Sequence, residues 1–235
     1  KNSPESGVIL YLHGGGYVMG SSNTHRRMVG HLATAAGARA FIPDYRLAPE
    51  HPYPAAVRDA VAAFRGLLAE GMRGQQIVIA GDSAGGGLSV AAMLALRDDG
   101  RPMPAAALLL SPWTDLALTG ESLETRKDVD LGVTMGGIQK MVEYYLHGAK
   151  PKAPLASPLY ADLRGMPPTY IQVGDEEVLL DDSTRLAERM KASRVDVTID
   201  VFPEMQHVFQ FGAGNLPESD DAIARLGAFA RRFIG

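Results

Sequence analysis

A few short stretches of this chain carry residue types whose spacing suits nucleophilic catalysis. Gly81-Asp82-Ser83-Ala84-Gly85-Gly86 places a serine among small residues, directly after the apolar run 76–80 (QIVIA) and directly before the helical pattern 88–96. A strand that enters a sharp G-x-S-x-G turn and leaves it as a helix holds the serine hydroxyl clear of the backbone, and the helix N-terminus behind it favours developing negative charge. Asp82 reads as a turn or helix-start residue, with contact at the pocket rim as the alternative. His13-Gly14-Gly15-Gly16 follows a second apolar run, 7–12. Its glycines leave the backbone free to aim N–H groups at a bound atom. The competing reading is a phosphate loop, which ends in Gly-Lys-Ser/Thr, but no lysine occurs between Lys1 and Lys127. An oxyanion hole formed by the amides of Gly14, Gly15 and Ala84 fits the residues better.

A serine nucleophile needs a base, and the base needs an orienting carboxylate. Of six histidines, His13 reads as a loop-shaping residue, His25 and His31 fall in a helical stretch, His51 lies between Glu50 and Pro52, and His147 falls in the stretch 121–158, read as an insertion. His207, a few residues past the last apolar strand pattern, is the candidate base. A carboxylate between serine and histidine is expected after the run 169–173 (TYIQV), in Gly174-Asp175-Glu176-Glu177-Val178-Leu179-Leu180-Asp181-Asp182. Asp181 and Asp182 read as solvated or helix-capping groups. Elementary chemistry does not separate Asp175, Glu176 and Glu177.

The elements that must hold these groups alternate. Runs 7–12, 38–42, 76–80, 105–110 and 169–173 are nearly uniformly apolar, as strands covered on both faces are. Run 195–202 alternates, with Val195, Val197, Ile199 and Val201 on one face and Asp196, Thr198 and Asp200 on the other, which predicts an edge strand with one wet face. Val57, Ala60, Val61, Phe64, Leu67 and Leu68 recur at helical spacing after Pro54, and Ile223, Leu226, Ala230 and Phe233 do so after a start at Ser219-Asp220-Asp221. Alternating strands and helices predict an α/β fold, a mostly parallel sheet with helices on both faces. Residues 121–158, with a helical stretch at 138–146 and prolines at 151, 154 and 158, read as an insertion over the sheet's C-terminal edge, where α/β folds bind ligands. Tyr17, Met19, Trp113 and the 138–146 segment are candidate pocket walls.

Composition narrows the classes. The chain has 235 residues with 23 Lys plus Arg against 27 Asp plus Glu, a formal charge of −4 that argues against nucleic-acid binding. There is no cysteine, hence no disulfide, thiolate metal ligand or thiol nucleophile. No apolar run reaches the roughly 18–20 residues of a membrane span. The chain starts with Lys1 and shows no charged-then-apolar leader, so a late start and a cytoplasmic location are the expectations.

With these motifs quoted, the chain resembles the hormone-sensitive-lipase-like group of α/β-hydrolase carboxylesterases. His13-Gly14-Gly15-Gly16-Tyr17, the Ser83 turn and Asp44-Tyr45-Arg46-Leu47-Ala48-Pro49-Glu50-His51-Pro52-Tyr53-Pro54-Ala55-Ala56 carry the likeness, with Ser111-Pro112-Trp113-Thr114-Asp115 and Ser157-Pro158-Leu159. In that family the triad carboxylate directly precedes a short x-Leu-x-Asp-Asp/Glu run, so the resemblance places the acid at Glu177, where aspartate is the commoner residue, with Asp175 next. It implies a single α/β-hydrolase domain over 1–235 with 121–158 as a partial cap, acting on short- to medium-chain acyl esters without metal or cofactor. Family members carry cap helices and two strands ahead of the His-Gly-Gly-Gly strand; only residues 1–6 precede it here, so these are expected to be absent. An amidase or deacetylase would use the same residues, and relatives that have lost the histidine serve as small-molecule receptors. The alternating last strand suggests a homodimer edge, as in related proteins.

Overall fold

The computed structural model describes residues 7–234; residues 1–6, on which the expectation about the chain start falls, lie outside the described residues. Six strands, β1 (Val8–Leu12), β2 (Arg39–Phe41), β3 (Ile77–Asp82), β4 (Ala106–Leu110), β5 (Thr169–Gly174) and β6 (Val197–Phe202), form one sheet in the order β2-β1-β3-β4-β5-β6, every neighbouring pair parallel. Among the described residues seven α-helices connect and cover it: α1 (Ser22–Ala36), α2 (Ala55–Ala69), α3 (Ala84–Asp98), α4 (Ser122–Thr125), α5 (Met135–Leu146), α6 (Leu180–Ala192) and α7 (Pro217–Ile234).

The strand pleat sorts the core into two layers. Leu10, Leu12, Ile77, Ile79, Ala107, Leu109 and Ile171 face one way and pack with α2, α3 and α6. Their alternates Ile9, Tyr11, Val78, Ala80, Ala106, Leu108 and Leu110 face α1 and α7. Both faces are thus dry, which is why the central strands show no polar alternation. Helix α3 is buried along almost its whole length and is accordingly apolar all round, whereas α7 keeps one apolar stripe against the sheet. Among the described residues no helix is long and apolar enough to cross a membrane.

Two expectations need correction. Among the described residues run 38–42 lacks the cover predicted for both of its faces: β2 is three residues long, stands beside β1 at the end of the sheet order, and leaves all three residues exposed, Phe41 at 41%. At the opposite edge β6 is the wet strand its pattern predicts, except that Val201 is exposed while Phe202 tucks against Phe209. Helix α7 opens at Pro217, two residues before the predicted start, with proline at a position where its missing N–H costs nothing.

The chain runs from β1 outward to β2, then returns past β1 to β3. That reversal leaves a crevice beyond the C-terminal ends of β1 and β3. The loop Gly14–Gly20 leaves β1 there, and the Ser83 turn leaves β3 there.

Candidate active site

Ser83 sits at the β3–α3 turn with φ 51 and ψ −123, a strained conformation for a residue with a side chain. Backbone bonds hold it: its N–H donates to Leu110 O (2.9 Å), and its carbonyl accepts from Trp113 N (2.8 Å) and Gly86 N (3.0 Å). The turn is tight because Gly85 lies against β1, where a methyl group would overlap the Leu12 carbonyl oxygen. Strain at this serine is fixed by the surrounding sheet and is independent of its hydroxyl.

His207 lies in the loop after β6. Its Nδ1 is 2.5 Å from Glu177 Oε2. Glu177 is fully buried, and its other oxygen accepts from Ser111 Oγ (2.7 Å) and Gly174 N (2.8 Å). The remaining acidic candidates are engaged elsewhere. Asp175 Oδ1 accepts from Glu204 N (2.7 Å), and Glu176 Oε2 from Gln206 Nε2 (3.0 Å). Burial disfavours the His207 imidazolium, yet the charge and hydrogen bond of Glu177 outweigh it, with smaller help from Asp130 and Asp82, so its pKa stands above the ordinary value.

Ser83 and His207 open onto one cavity of about 490 Å³, bounded by Gly15, Gly16, Met19, Trp113, Ile138, Met141, Leu179 and Phe211 among others. Most of this lining is apolar, as in sites that hold small organic molecules. The segment 132–141 reaches the cavity from above. Tyr17 does not reach it. That ring is buried and stacks on Tyr145 (3.8 Å between centroids, 7° between planes), bracing the glycine loop against α5. Among the described residues no group of three or more His, Asp or Glu side chains is placed to hold a metal ion.

The glycine loop departs from expectation at one amide. Gly14 donates its N–H to Asp82 Oδ1 (3.0 Å) and so cannot also serve an oxyanion. A buried carboxylate demands donors, and Gly14 supplies one beside the Tyr11 hydroxyl, which donates to the same oxygen (2.8 Å). Among the described residues no acceptor takes the N–H of Gly15, Gly16 or Ala84. His13 does shape the loop: its Nδ1 meets Gly14 O (2.8 Å) and its ring stacks on Tyr45 (4.2 Å).

Several residues of the site carried no signal in isolation. Ser111 bridges two loops, donating to Glu177 while accepting from Val208 N (3.2 Å). Asp130 ties its own segment to the Glu177 loop through Val178 N (2.9 Å), and Gln206 ties the His207 loop to that segment, accepting from Leu131 N (2.8 Å) and donating to Val129 O (3.1 Å). Asp182 is neither solvated nor capping. It is buried, accepts from Thr114 N (2.6 Å) and Asp115 N (2.8 Å), and burial pushes its carboxyl up to about 7.

A family model described as alpha/beta hydrolase fold matches residues 9–211. An esterase of known structure from the bacterial hormone-sensitive lipase family is 54% identical, superposes with a TM-score of 0.96, and is matched over 97% of this chain and 77% of its own. The chain belongs to the hormone-sensitive lipase family of α/β-hydrolases. A second hormone-sensitive lipase, from a metagenome library, is 45% identical with a TM-score of 0.95 over 97% of this chain and 77% of that one. Among sequence relatives of this family, an acetyl-hydrolase from Streptomyces hygroscopicus is 48% identical over 97% of this chain and 76% of its own length. An esterase from Acinetobacter venetianus is 38% identical over 95% and 74%.

Proposed function

We propose that this chain is a serine carboxylesterase acting on short- to medium-chain acyl esters, with Ser83, His207 and Glu177 as its triad. The observation that carries this reading is the 2.5 Å contact between His207 Nδ1 and buried Glu177, on a histidine that shares an apolar cavity with the Ser83 elbow. The esterase and acetyl-hydrolase names of its relatives support it.

In the reaction His207 Nε2 takes the Ser83 Oγ proton as the oxygen attacks the ester carbonyl. Glu177 stabilises the resulting imidazolium. The carbonyl oxygen becomes an oxyanion that accepts from the amides of Gly15, Gly16 and Ala84, Gly14 being engaged with Asp82. The C–O bond breaks as His207 returns the proton to the departing alcohol. Water, deprotonated by His207, then attacks the acyl-enzyme, and the acid leaves with Ser83 restored.

The test is covalent. An alkyl fluorophosphonate should add once per chain, at Ser83, and stop hydrolysis of p-nitrophenyl butyrate in proportion. A folded chain that neither hydrolyses the ester nor takes up the label would overturn the reading; label on another serine would relocate the site.

The raised pKa of His207 gives a second check. The base must be neutral, so kcat/KM should rise with pH through a midpoint above the ordinary imidazole value of about 6.5. A midpoint at or below that value in a pH–rate profile would contradict the electrostatic pairing with Glu177.

A further inference from the structure

Asp82 precedes the nucleophile, yet the mechanism above gives it no proton to move and no bond to make. It is buried at the end of β3 and borders the cavity. Three groups converge on its carboxylate. Tyr11 donates its hydroxyl to Oδ1 (2.8 Å), Gly14 donates its N–H to the same oxygen (3.0 Å), and His25 Nε2 stands 3.3 Å from Oδ2. Each comes from a different element: Tyr11 from β1, Gly14 from the glycine loop and His25 from α1.

His25 is not a spare base. Its Nδ1 is within 2.8 Å of Thr24 Oγ1 and 3.2 Å of Ser21 O, so both ring nitrogens face protein partners although the ring borders the cavity. Its ring packs between His13 (5.4 Å) and Phe211 (5.1 Å). The fit around Gly14 is equally close: a methyl group there would overlap Asp82 Oδ2.

We propose that Asp82 is the positioning residue of the oxyanion hole, its carboxylate clamped by Tyr11 and His25 so that it fixes Gly14 and aims the amides of Gly15 and Gly16. This rests on the esterase reading of the same cavity. A glycine-rich loop has broad backbone freedom, and donors aimed at developing charge work only if they do not reorganise during the reaction. Bound at Gly14, the loop enters the site with one peptide plane set by β3, the strand that also delivers Ser83. Nucleophile and oxyanion donors therefore share one reference. What Asp82 supplies is an acceptor oxygen at a fixed place, and an asparagine can supply that too.

Steady-state kinetics on p-nitrophenyl butyrate test this together with the affinity of butylboronic acid, whose serine adduct places an oxygen in the hole. Asp82→Ala should lower kcat about 10- to 100-fold and weaken the boronate by a similar factor, with KM within about threefold. Asp82→Asn should restore both to within about threefold of the parent, and Tyr11→Phe, which keeps the ring and removes one clamp, should cost about threefold to tenfold in kcat and in boronate affinity with KM little changed. If Asp82→Ala does not fold, the other two variants decide. Parent-like kcat in Asp82→Ala or Tyr11→Phe, a loss confined to KM, or an Asp82→Asn variant well below its expected range would each overturn the proposal. Ser83→Ala in the same series separates the failures: an active Ser83→Ala sinks the Ser83-centred reading on which the proposal rests, whereas an inactive one beside a fully active Asp82→Ala sinks the positioning role alone.

Discussion

Ser83→Ala should leave a folded protein whose kcat toward p-nitrophenyl butyrate is lower by about 10⁵- to 10⁶-fold, with KM little changed. The fold should survive because what holds the elbow is backbone: the Ser83 N–H bond to Leu110 and the bonds from Trp113 and Gly86 to the Ser83 carbonyl are all retained by alanine. Alanine at φ 51 carries the same backbone strain as serine, so no new conformational cost arises. The loss is therefore chemical. Without Oγ, His207 has no hydroxyl to deprotonate, and what remains is water attack on an ester held beside the oxyanion donors. Triad members act as a unit, so adding His207→Ala to this variant should cost almost nothing further. Circular dichroism to verify folding and active-site-titrated kinetics check both points. A variant retaining more than about a thousandth of parent kcat would point to a different nucleophile.

How much of this site could be read before the structure depended on how local its cause was. The Ser83 elbow was legible because strand, glycines and helix are consecutive, so the reason for the geometry lies within a dozen residues. Helices α2 and α5 were legible for the same reason, since a 3.6-residue apolar stripe is a local property. Glu177 was different. Three acidic residues stand side by side, and only the tertiary partners sort them: Ser111, 66 positions away, and His207, 30 positions away, meet Glu177, while Asp175 turns to Glu204. The family register pointed to Glu177 where charge and spacing could not. Gly14 failed as an oxyanion donor for the same kind of reason, its N–H being claimed by a carboxylate 68 residues downstream. Asp182 read as a surface acid because helix starts favour acids; its burial against the Thr114 and Asp115 amides is set by how α6 docks on the loop after β4.

Glu177→Gln should lower kcat by about 10⁴-fold, equivalent to ~5.4 kcal/mol of transition-state stabilisation, while changing volume hardly at all. The surroundings dictate how glutamine sits. Ser111 Oγ and Gly174 N are donors, so they require the amide oxygen at the Oε1 position. That leaves the amide NH₂ facing His207 Nδ1, where an acceptor oxygen stands in the parent. The imidazole can meet an NH₂ only with Nδ1 unprotonated, which puts its proton on Nε2. This is the wrong tautomer for taking a proton from Ser83. Loss of the negative charge acts in the same direction, since Glu177 both raises the His207 pKa and stabilises the imidazolium formed in the transition state. The acid limb of kcat/KM should accordingly move to lower pH as the plateau falls, and the downfield proton resonance expected for Nδ1–H beside a buried carboxylate should disappear. Glu177→Asp keeps the charge but withdraws it by one methylene, so its kcat should fall between those of Gln and the parent. A Gln variant within tenfold of parent kcat, with its pH profile unmoved, would mean that another group orients His207. Fully engaged through Glu204 and Gln206, Asp175 and Glu176 are poorly placed to replace it, because either would first have to release the loop that carries the histidine.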